Sequence, residues 1–511
     1  MAPDSEVTGQ KRSPAKSSAG KPTKPALRSE PRAAQSGLPG AEQMRRHSRE
    51  ERQLMGRAAR QRIPREAHAK WKPAADRPNP VSLIEEQATT RLPELVPVRH
   101  GRMAVSPFAF YRGGALIMAA DLASTPDSGI VAQLCGDAHL SNFGLFASPE
   151  RQMLFDINDF DETLPGPWEW DVKRLAASFE VAGRDLGYAA AGRREVVLAA
   201  VRAYRREMRQ AAEMGVLEVW YSKVTADDVL RVVADEARAG RLSRKEAKAA
   251  QKVVEKARSR VHQRSFDRLV RVVDGQLRIA PDGPLVVPID DLVAPGTRRK
   301  DTEEWVMQLL ESYRESIADA RHPLEEFRYV DSARKVVGVG SVGTRCWIDL
   351  LIGRDVGNPL FLQTKEAPPS VLEPFLGASV FENRGQRVVA GQRLMQAASD
   401  IFLGWLRAED LDGRLCDYYV RQLHDWKGAV DVENLLVGGA TVYARLCGST
   451  LARAHARACD RVAVAAYLGK GDAFEQAVAD FASAYADQNE RDFEVFTKAI
   501  TSGRLQAERG L

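Results

Sequence analysis

The sequence predicts an α+β protein in which a strand-rich segment interrupts a mainly helical chain. Residues 344–352 alternate apolar and polar side chains with period two, and a second strand, ending at Lys365, follows a Gly357-Asn358-Pro359 turn. Residues 190–270 instead place apolar side chains at helical spacing among many charges. These patterns favour helices and antiparallel strands that are segregated along the chain.

Changes in composition divide the chain into four predicted segments. A chain of 511 residues exceeds one typical core, so several structural units are expected. The segments are a disordered basic arm at 1–75, a helical part at 76–324, a strand-rich part at 325–430, and helices at 431–511 that complete the helical part.

The basic charge is concentrated in the first segment. Residues 1–60 hold 13 Lys and Arg against 6 Asp and Glu, whereas the whole chain carries a net charge of +5. The segment is rich in Pro, Ser, Ala and Gly, with too few apolar residues to offset the entropy of ordering. We favour a solvated tail over a nucleic-acid or acidic-partner contact.

Composition excludes several other classes. The chain is 44% hydrophobic and 28% charged, as in globular proteins, and it has no apolar run near the ~20 residues of a membrane helix. Five scattered cysteines without a Cys-x-x-Cys pair predict a reduced, cytoplasmic protein without a cysteine-built zinc site. We expect no membrane partner, and the sequence leaves the oligomeric state undetermined.

The first chemical motif is the segment Cys135-Gly136-Asp137-Ala138-His139-Leu140-Ser141-Asn142. It follows the apolar run 130–134, which predicts a buried strand. The five-residue gap between Asp137 and Asn142 is that of the catalytic loop of phosphotransferases, in which the aspartate is the base and the asparagine holds a metal ion. His139 is a candidate catalytic residue, more suited to orienting the loop than to proton transfer.

An acidic cluster follows two predicted strands at 143–146 and 153–157. Its members are Asp156, Asp159, Asp161 and Glu162. Carboxylates this close repel one another unless a cation lies nearby, so the cluster predicts a Mg²⁺ site. We favour Asp159 as the metal ligand beside Asn142, with Asp156 as the alternative.

Asp171 lies in the opening turn of a predicted helix, which starts near Trp168 and runs to about Val181. Two roles stay open for its carboxylate. It either caps this helix or braces the loop around Asp137.

A glycine-rich loop lies in the strand-rich segment, with Gly338, Gly340, Ser341 and Gly343 as candidate cofactor-binding residues. A dinucleotide site needs a helix directly after such glycines, but here a strand follows. Strand, glycine loop, strand and a further strand ending in lysine form the hairpin that covers ATP phosphates. Lys365 would then bind the phosphates.

Kinase-type sites pair this lysine with an acidic residue on the next helix. Here that helix is predicted at 386–406, and the partner is not evident from the sequence. Glu373 and Glu382 are the candidates, with Gln386 as a residue on the same face.

Three of these blocks together resemble the aminoglycoside and choline phosphotransferase branch of the protein-kinase-like superfamily. They are 136–142, Asp159-Phe160-Asp161 and 171–176. Leu451–Ala458 is similar to the Leu-Ala-x-Leu-His-Ala helix that precedes the catalytic loop in that branch. The resemblance implies a two-lobed fold that uses ATP and Mg²⁺.

Over about residues 60–500 the chain also resembles the uncharacterised bacterial domain-of-unknown-function 2252 family. The blocks that carry this resemblance are 106–113, 156–170, 335–343, 391–396 and 419–427. The family name implies no activity.

The order of the motifs departs from that of ordinary kinases. In those enzymes the glycine loop and lysine precede the catalytic loop and the metal aspartate, whereas here they follow. A cut between the predicted helix at 441–458 and the strand at 130–134 reproduces every element in order. We therefore expect a circularly permuted kinase-like fold, which the closeness of chain termini tolerates.

The expected function is ATP- and Mg²⁺-dependent phosphoryl transfer to a hydroxyl of a small molecule. The alternatives are a nucleotide-binding regulator (a pseudokinase) and nucleotidyl transfer by the same site. The helices at 190–270 and the segment Phe108–Arg112 would shape the acceptor pocket, with Arg112 contacting an anionic group. The aromatic residues of that segment have a second interpretation as plain core.

Overall fold

The structure is a computed structural model that describes residues 46–259, 262–293, 299–317, 322–423 and 426–510. Its helices are α1 (Arg49–Arg62), α2 (Pro80–Ala88), α3 (Val96–Met103), α4 (Pro107–Gly113), α5 (Ala115–Leu122), α6 (Glu169–Asp185), α7 (Ala190–Glu213), α8 (Val216–Tyr221), α9 (Ala226–Arg238), α10 (Arg244–Arg258), α11 (His262–Leu269), α12 (Arg299–Glu315), α13 (Glu373–Leu376), α14 (Arg384–Met395), α15 (Val437–Ala458), α16 (Arg461–Leu468) and α17 (Ala473–Thr501). Its strands are β1 (Val131–Leu134), β2 (Phe143–Ala147), β3 (Met153–Ile157), β4 (Leu164–Pro167), β5 (Val270–Val273), β6 (Gln276–Ile279), β7 (Val286–Pro288), β8 (Arg328–Lys335), β9 (Cys346–Ile352), β10 (Pro359–Glu366), β11 (Gly404–Glu409), β12 (Leu415–Gln422) and β13 (Gly428–Ala429).

Six strands form one antiparallel sheet in the order β11-β12-β10-β9-β8-β7. Side chains on successive residues of a strand point to opposite faces. Lys365 and its register partner Tyr419 therefore lie on one face, whereas Thr364 and Tyr418 lie on the other, where α12 packs. The loop between β8 and β9 is the glycine-rich loop predicted from the sequence.

The residues around Asp137 lie between two smaller strand groups. β1 pairs with β4, and β2 pairs with β3 and β13. Behind them, α6, α7, α15 and α17 enclose the largest hydrophobic core. In that core Trp168, fully buried, stacks on Tyr204 with ring centroids 5.6 Å apart.

Helices α7 and α15 approach closely at a glycine. A Cβ atom at Gly448 would lie 2.0 Å from the carbonyl oxygen of Ala200, so the crossing requires a residue without a side chain. The same core holds the buried His455 of α15, which contacts the candidate site.

The mixed α+β class is confirmed, with corrections to individual elements. The helix expected at 386–406 ends at Met395, and residues 404–409 form β11, because they pair with β12. Of the arm expected at 1–75, residues 1–45 lie outside the described part. The rest is structured, since α1 buries Gly56 and Ala59 against α16.

Among the residues that the structure describes, no helix is both long and apolar enough to cross a membrane.

Candidate functional site

The loop that follows β1 is anchored by the first turn of α6. Asp171 accepts hydrogen bonds from the backbone N–H groups of Cys135 (2.8 Å) and Gly136 (3.1 Å). Gly136 has a φ of +86°, and a Cβ atom there would lie 2.3 Å from the carbonyl oxygen of Glu162. The position therefore requires glycine. Of the two roles left open for Asp171, these contacts favour bracing the backbone just before Asp137.

A buried chain of polar side chains connects Asp171 to α15 and α7. His455 Nε2 lies 3.1 Å from the Asp171 carboxylate, and the Tyr204 hydroxyl lies 2.9 Å from His455 Nδ1. All three side chains are buried. An unpaired buried polar group costs about 1–3 kcal/mol, so this chain fixes the packing behind the loop.

Within the loop, Asn142 and His139 hold the backbone. Asn142 Nδ2 donates a hydrogen bond to the carbonyl oxygen of Asp137 (2.8 Å), and the Ser141 N–H donates to His139 Nδ1 (3.2 Å). Burial and two nearby guanidinium groups hold the pKa of His139 well below its usual range. The ring is therefore neutral, and its contacts are those of an orienting residue.

The carboxylate of Asp137 is fixed by Arg174. Arg174 Nε and Nη2 lie 2.9 Å and 2.8 Å from Asp137 Oδ1, and Nη2 also donates to the carbonyl oxygen of Tyr111 (2.9 Å). The Arg174 guanidinium stacks on the Tyr111 ring, 4.0 Å from its centroid. Burial raises the pKa of Asp137, although the charges of Arg174 and Arg112 oppose this rise.

The aspartates after β2 and β3 have separate environments. Asp156 accepts hydrogen bonds from the N–H groups of Ile157 and Ala397, both at 2.9 Å, so its carboxylate ties β3 to the segment after α14. Asp159 accepts a hydrogen bond from the Asp161 N–H (3.1 Å). Burial and the neighbouring Asp161 carboxylate raise the pKa of Asp159.

Lys365 and Asp161 form the central ion pair. Lys365 Nζ lies 2.5 Å from Asp161 Oδ2, and Tyr419 donates its hydroxyl to Asp161 Oδ1 (2.5 Å). The Ser341 hydroxyl of the glycine-rich loop also donates to Asp161 Oδ2 (3.3 Å). Burial alone would raise the pKa of Asp161, but the Lys365 charge and the hydrogen bonds from Lys365 and Tyr419 lower it to about 2.

This pairing corrects the expected partner of Lys365. The candidates were Glu373 and Glu382, with Gln386 on the same face, but Lys365 pairs with Asp161. Glu373 instead accepts a hydrogen bond from the backbone three residues before it, and Glu382 binds a guanidinium through its carbonyl oxygen. Gln386 lies in the first turn of α14, where its backbone N–H is capped.

The glycine-rich loop is held by its carbonyl groups. Arg102 Nη1 donates to the Gly338 carbonyl oxygen (2.6 Å), and Arg91 Nη1 donates to that of Val342 (2.5 Å). The backbone N–H of Leu92 donates to the carbonyl oxygen of Gly343 (2.8 Å). Gly338 and Gly343 have φ values of +66° and +89°, which glycine adopts without strain. The residues around α3 therefore fix the loop.

Two further cations lie beside the acidic segment. Arg421 donates to the carbonyl oxygen of Asn158 (3.1 Å) and to Gln363 Oε1 (3.2 Å). Repulsion from Arg421 and burial lower the pKa of Lys427 to about 7, although Asp159 opposes this. Arg421 and Lys427 therefore lie near the carboxylates of the acidic segment.

Arg387 of α14 holds the chain just after Asp159. Its guanidinium donates to the carbonyl oxygens of Thr163 (2.8 Å), Asp161 (2.9 Å) and Pro368 (3.0 Å). The Arg387 side chain is 2% exposed, so these hydrogen bonds lie in the interior of the protein. Arg387 thereby sets the path along which the Asp161 side chain reaches Lys365.

The structure thus groups the predicted residues around two contacts. Asp137, His139 and Asn142 share the loop after β1, while Ser341 and Lys365 meet at Asp161, two residues from Asp159. The two groups are joined because the Asn158 N–H donates to the Asn142 carbonyl oxygen (2.8 Å).

Several contributors were not singled out from the sequence. They are Arg174, Arg387, Tyr419 and Arg421, together with the pairing role of Asp161. Arg174 lies inside block 171–176, and Tyr419 and Arg421 lie inside block 419–427, whereas Arg387 lies outside the blocks that carry the resemblances.

The oxygen donors at the junction fit Mg²⁺. Asp159 offers a carboxylate, and Asn142 keeps its carboxamide oxygen because only its nitrogen is used toward Asp137. Within the described ranges, no group of three or more His, Cys, Asp or Glu side chains has the arrangement of a metal site. Mg²⁺ bound with nucleotide needs only one or two protein ligands, since phosphates and water supply the others.

Comparison with known proteins gives one match. No curated protein and no solved structure matches the chain. A family profile described as an uncharacterized protein conserved in bacteria (DUF2252) matches residues 91–499. This range spans the loop around Asp137, the acidic segment and the glycine-rich loop, and it covers most of the 511 residues. The chain therefore belongs to the DUF2252 family.

Proposed function

We propose that this protein is an ATP- and Mg²⁺-dependent phosphotransferase that acts on a hydroxyl of a small molecule. The contact between Lys365 and Asp161 carries the proposal. It joins the strand after the glycine-rich loop to the acidic segment after the Asp137 loop, 204 residues apart in the chain. Asp161 is two residues from Asp159, the proposed metal ligand, and kinase-type catalysis requires a phosphate-binding lysine near the metal-binding aspartate.

A second contact supports the circularly permuted order. Residues Ala132 of β1 and Cys459, which directly follows α15, form an antiparallel bridge. In ordinary kinases the helix corresponding to α15 leads directly into the strand before the catalytic loop. Here the two ends lie side by side without a direct connection, as expected after a cyclic shift.

The proposed roles follow from the contacts. Asp137 accepts the proton of the acceptor hydroxyl while Arg174 holds its carboxylate in place. Asn142 and Asp159 hold Mg²⁺, which when bound neutralises charge on the nucleotide phosphates. Lys365 binds the phosphates, exchanging its contact with Asp161 for them or sharing it with them.

The region between the acidic segment and α6 favours a small acceptor. Protein kinases need an activation segment at this point. Here the chain forms β4 (Leu164–Pro167), which pairs with β1 and leaves no room for such a segment. This pairing supports a small molecule as the acceptor.

One observation favours a second candidate, the nucleotide-binding regulator. The Asp137 carboxylate is already paired with Arg174, and Asp161 is occupied by three donors. The Oδ1 atom that Arg174 holds is therefore not free to accept a proton from a hydroxyl. In this alternative the site binds nucleotide without turnover.

The test combines binding with turnover. Wild-type protein should gain thermal stability with Mg²⁺ and ATP, as any ligand of the native state produces, and should release ADP with an acceptor from a panel of sugars, amino alcohols and aminoglycosides. Asp137→Asn should abolish turnover and keep nucleotide binding, whereas Asp159→Asn should weaken both. Binding without any product supports the regulator. A product heavier by a nucleotidyl group supports nucleotidyl transfer, and absence of nucleotide binding refutes all three.

A further inference from the structure

Arg112 lies between the loop around Asp137 and the glycine-rich loop. The preceding residue, Tyr111, gives its carbonyl oxygen to Arg174, which also binds Asp137. On the other side, the Arg112 carbonyl oxygen lies 3.5 Å from the position of a Cβ atom at Gly340. The backbone of Arg112 thus spans the two parts of the candidate site.

The guanidinium of Arg112 differs from those of the other arginines around the site in its hydrogen bonding. Arg91, Arg102 and Arg174 each donate to carbonyl or carboxylate oxygens. Across the part of the chain that the structure describes, Arg112 has no hydrogen bond or ion pair from its guanidinium, and its Nε is buried without an acceptor. A guanidinium carries five donors, and buried donors are normally satisfied.

The carboxylates near Arg112 do not use its guanidinium donors. Asp137 and Glu433 are the carboxylates near its guanidinium, while burial lowers its pKa. Asp137 is already neutralised by Arg174, and the neighbouring His139 is neutral. The guanidinium donors of Arg112 are therefore open to the oxygens of an added anion.

We propose that Arg112 binds a phosphate-type anion between Asp137 and the tip of the glycine-rich loop. The planar fork of arginine matches such oxygens with two parallel hydrogen bonds. The identity of the molecule that carries this anion rests on the proposed function. The anion is either the γ-phosphate of the nucleotide, as for an arginine supplied in cis to phosphoryl transfer, or an anionic group of the acceptor.

The experiment measures binding by calorimetry with the full chain. The probes are Mg-ATP, Mg-ADP, and inorganic phosphate, which is added both to the free protein and to protein in the presence of Mg-ADP. The variants are Arg112→Gln, Arg112→Lys, which keeps the charge but loses the fork, and Arg354→Gln. Arg354 is 86% exposed on the turn between β9 and β10 and serves as the matched control.

A γ-phosphate contact predicts that Arg112→Gln weakens Mg-ATP binding at least about tenfold and leaves Mg-ADP binding unchanged. An acceptor contact predicts unchanged nucleotide binding and a similar loss for inorganic phosphate. Arg112→Lys should bind the affected probe more tightly than Arg112→Gln and more weakly than wild type. It also tests the proposal if Arg112→Gln does not fold. Wild-type affinities for all three probes in both Arg112 variants would overturn the proposal. If wild type binds phosphate through Arg112 but binds no nucleotide, only the proposed function fails.

Discussion

Replacing Asp161 by asparagine should destabilise the protein by about 3–5 kcal/mol, the usual cost of leaving a buried charge without its partner. Lys365 is 2% exposed and would retain its ammonium group beside a neutral amide. Lys365→Met should cost less, about 1–3 kcal/mol, because Asp161 is 21% exposed and keeps the hydroxyl donors of Tyr419 and Ser341.

The double variant should be more stable than the two single effects predict. Once Lys365 is replaced by methionine, the loss of the Asp161 charge leaves no buried cation without a partner. The coupling energy between the two substitutions should therefore be about 1–3 kcal/mol. The measurement is equilibrium urea unfolding near pH 7, followed by tryptophan fluorescence, to which Trp347 and Trp405 on strands of the same sheet contribute.

The pH dependence gives an independent check. The pKa of Asp161 in the folded protein is about 2, below the ordinary value of 3.8. The carboxylate therefore contributes to the free energy of unfolding above pH 4, and this contribution is lost as the pH falls toward 2. A shift of that size is worth about 2–3 kcal/mol. The difference between wild type and Asp161→Asn should shrink by this amount over the same window.

Asp355→Asn is the matched control, since Asp355 is half exposed on the turn between β9 and β10. It should change the unfolding free energy by less than about 0.5 kcal/mol. Two results would refute the reasoning. One is additivity of Asp161→Asn and Lys365→Met within about 0.5 kcal/mol, and the other is an effect of Asp161→Asn as small as that of the control.

Three further predictions follow from the site. His455→Ala should cost about 2–3 kcal/mol and speed amide hydrogen exchange in the loop braced by Asp171, and unchanged exchange would contradict the bracing role. Arg102→Gln should raise exchange in the glycine-rich loop and weaken Mg-ATP binding, because it removes a donor from the Gly338 carbonyl; an unaltered loop would show that the contact is dispensable. Lys427 has a pKa of about 7, so it loses its charge as pH rises through that value, and Mg-ATP affinity should fall between about pH 6 and 8. Lys427→Arg should flatten this dependence, and an identical pH profile in the variant would exclude Lys427.

Features within a few residues of one another could be read from the sequence. Asp137 and Asn142 are five residues apart, and their hydrogen bond forms inside one loop. The strands 143–147 and 153–157 were expected at nearly the observed bounds, because two apolar runs joined by a short turn determine a hairpin locally. The α+β class followed from the same local patterns.

The partner of Lys365 could not be read in this way, because it lies 204 residues away. Asp159 and Asp161 are the same residue type two positions apart, and either can lie near a cation. The choice depends on the register that places Lys365 opposite Tyr419, and on Arg387, which fixes the carbonyl oxygen of Asp161. Local sequence patterns contain neither constraint.

The sequence by itself therefore determined the chemical groups of the candidate site and the order in which they occur along the chain. Their hydrogen-bonded neighbours were decided only by the tertiary structure. The same distinction explains the end of α14, since residues 404–409 become a strand through pairing with β12. Long-range pairing of this kind is determined by the packed core, which no short window of sequence specifies.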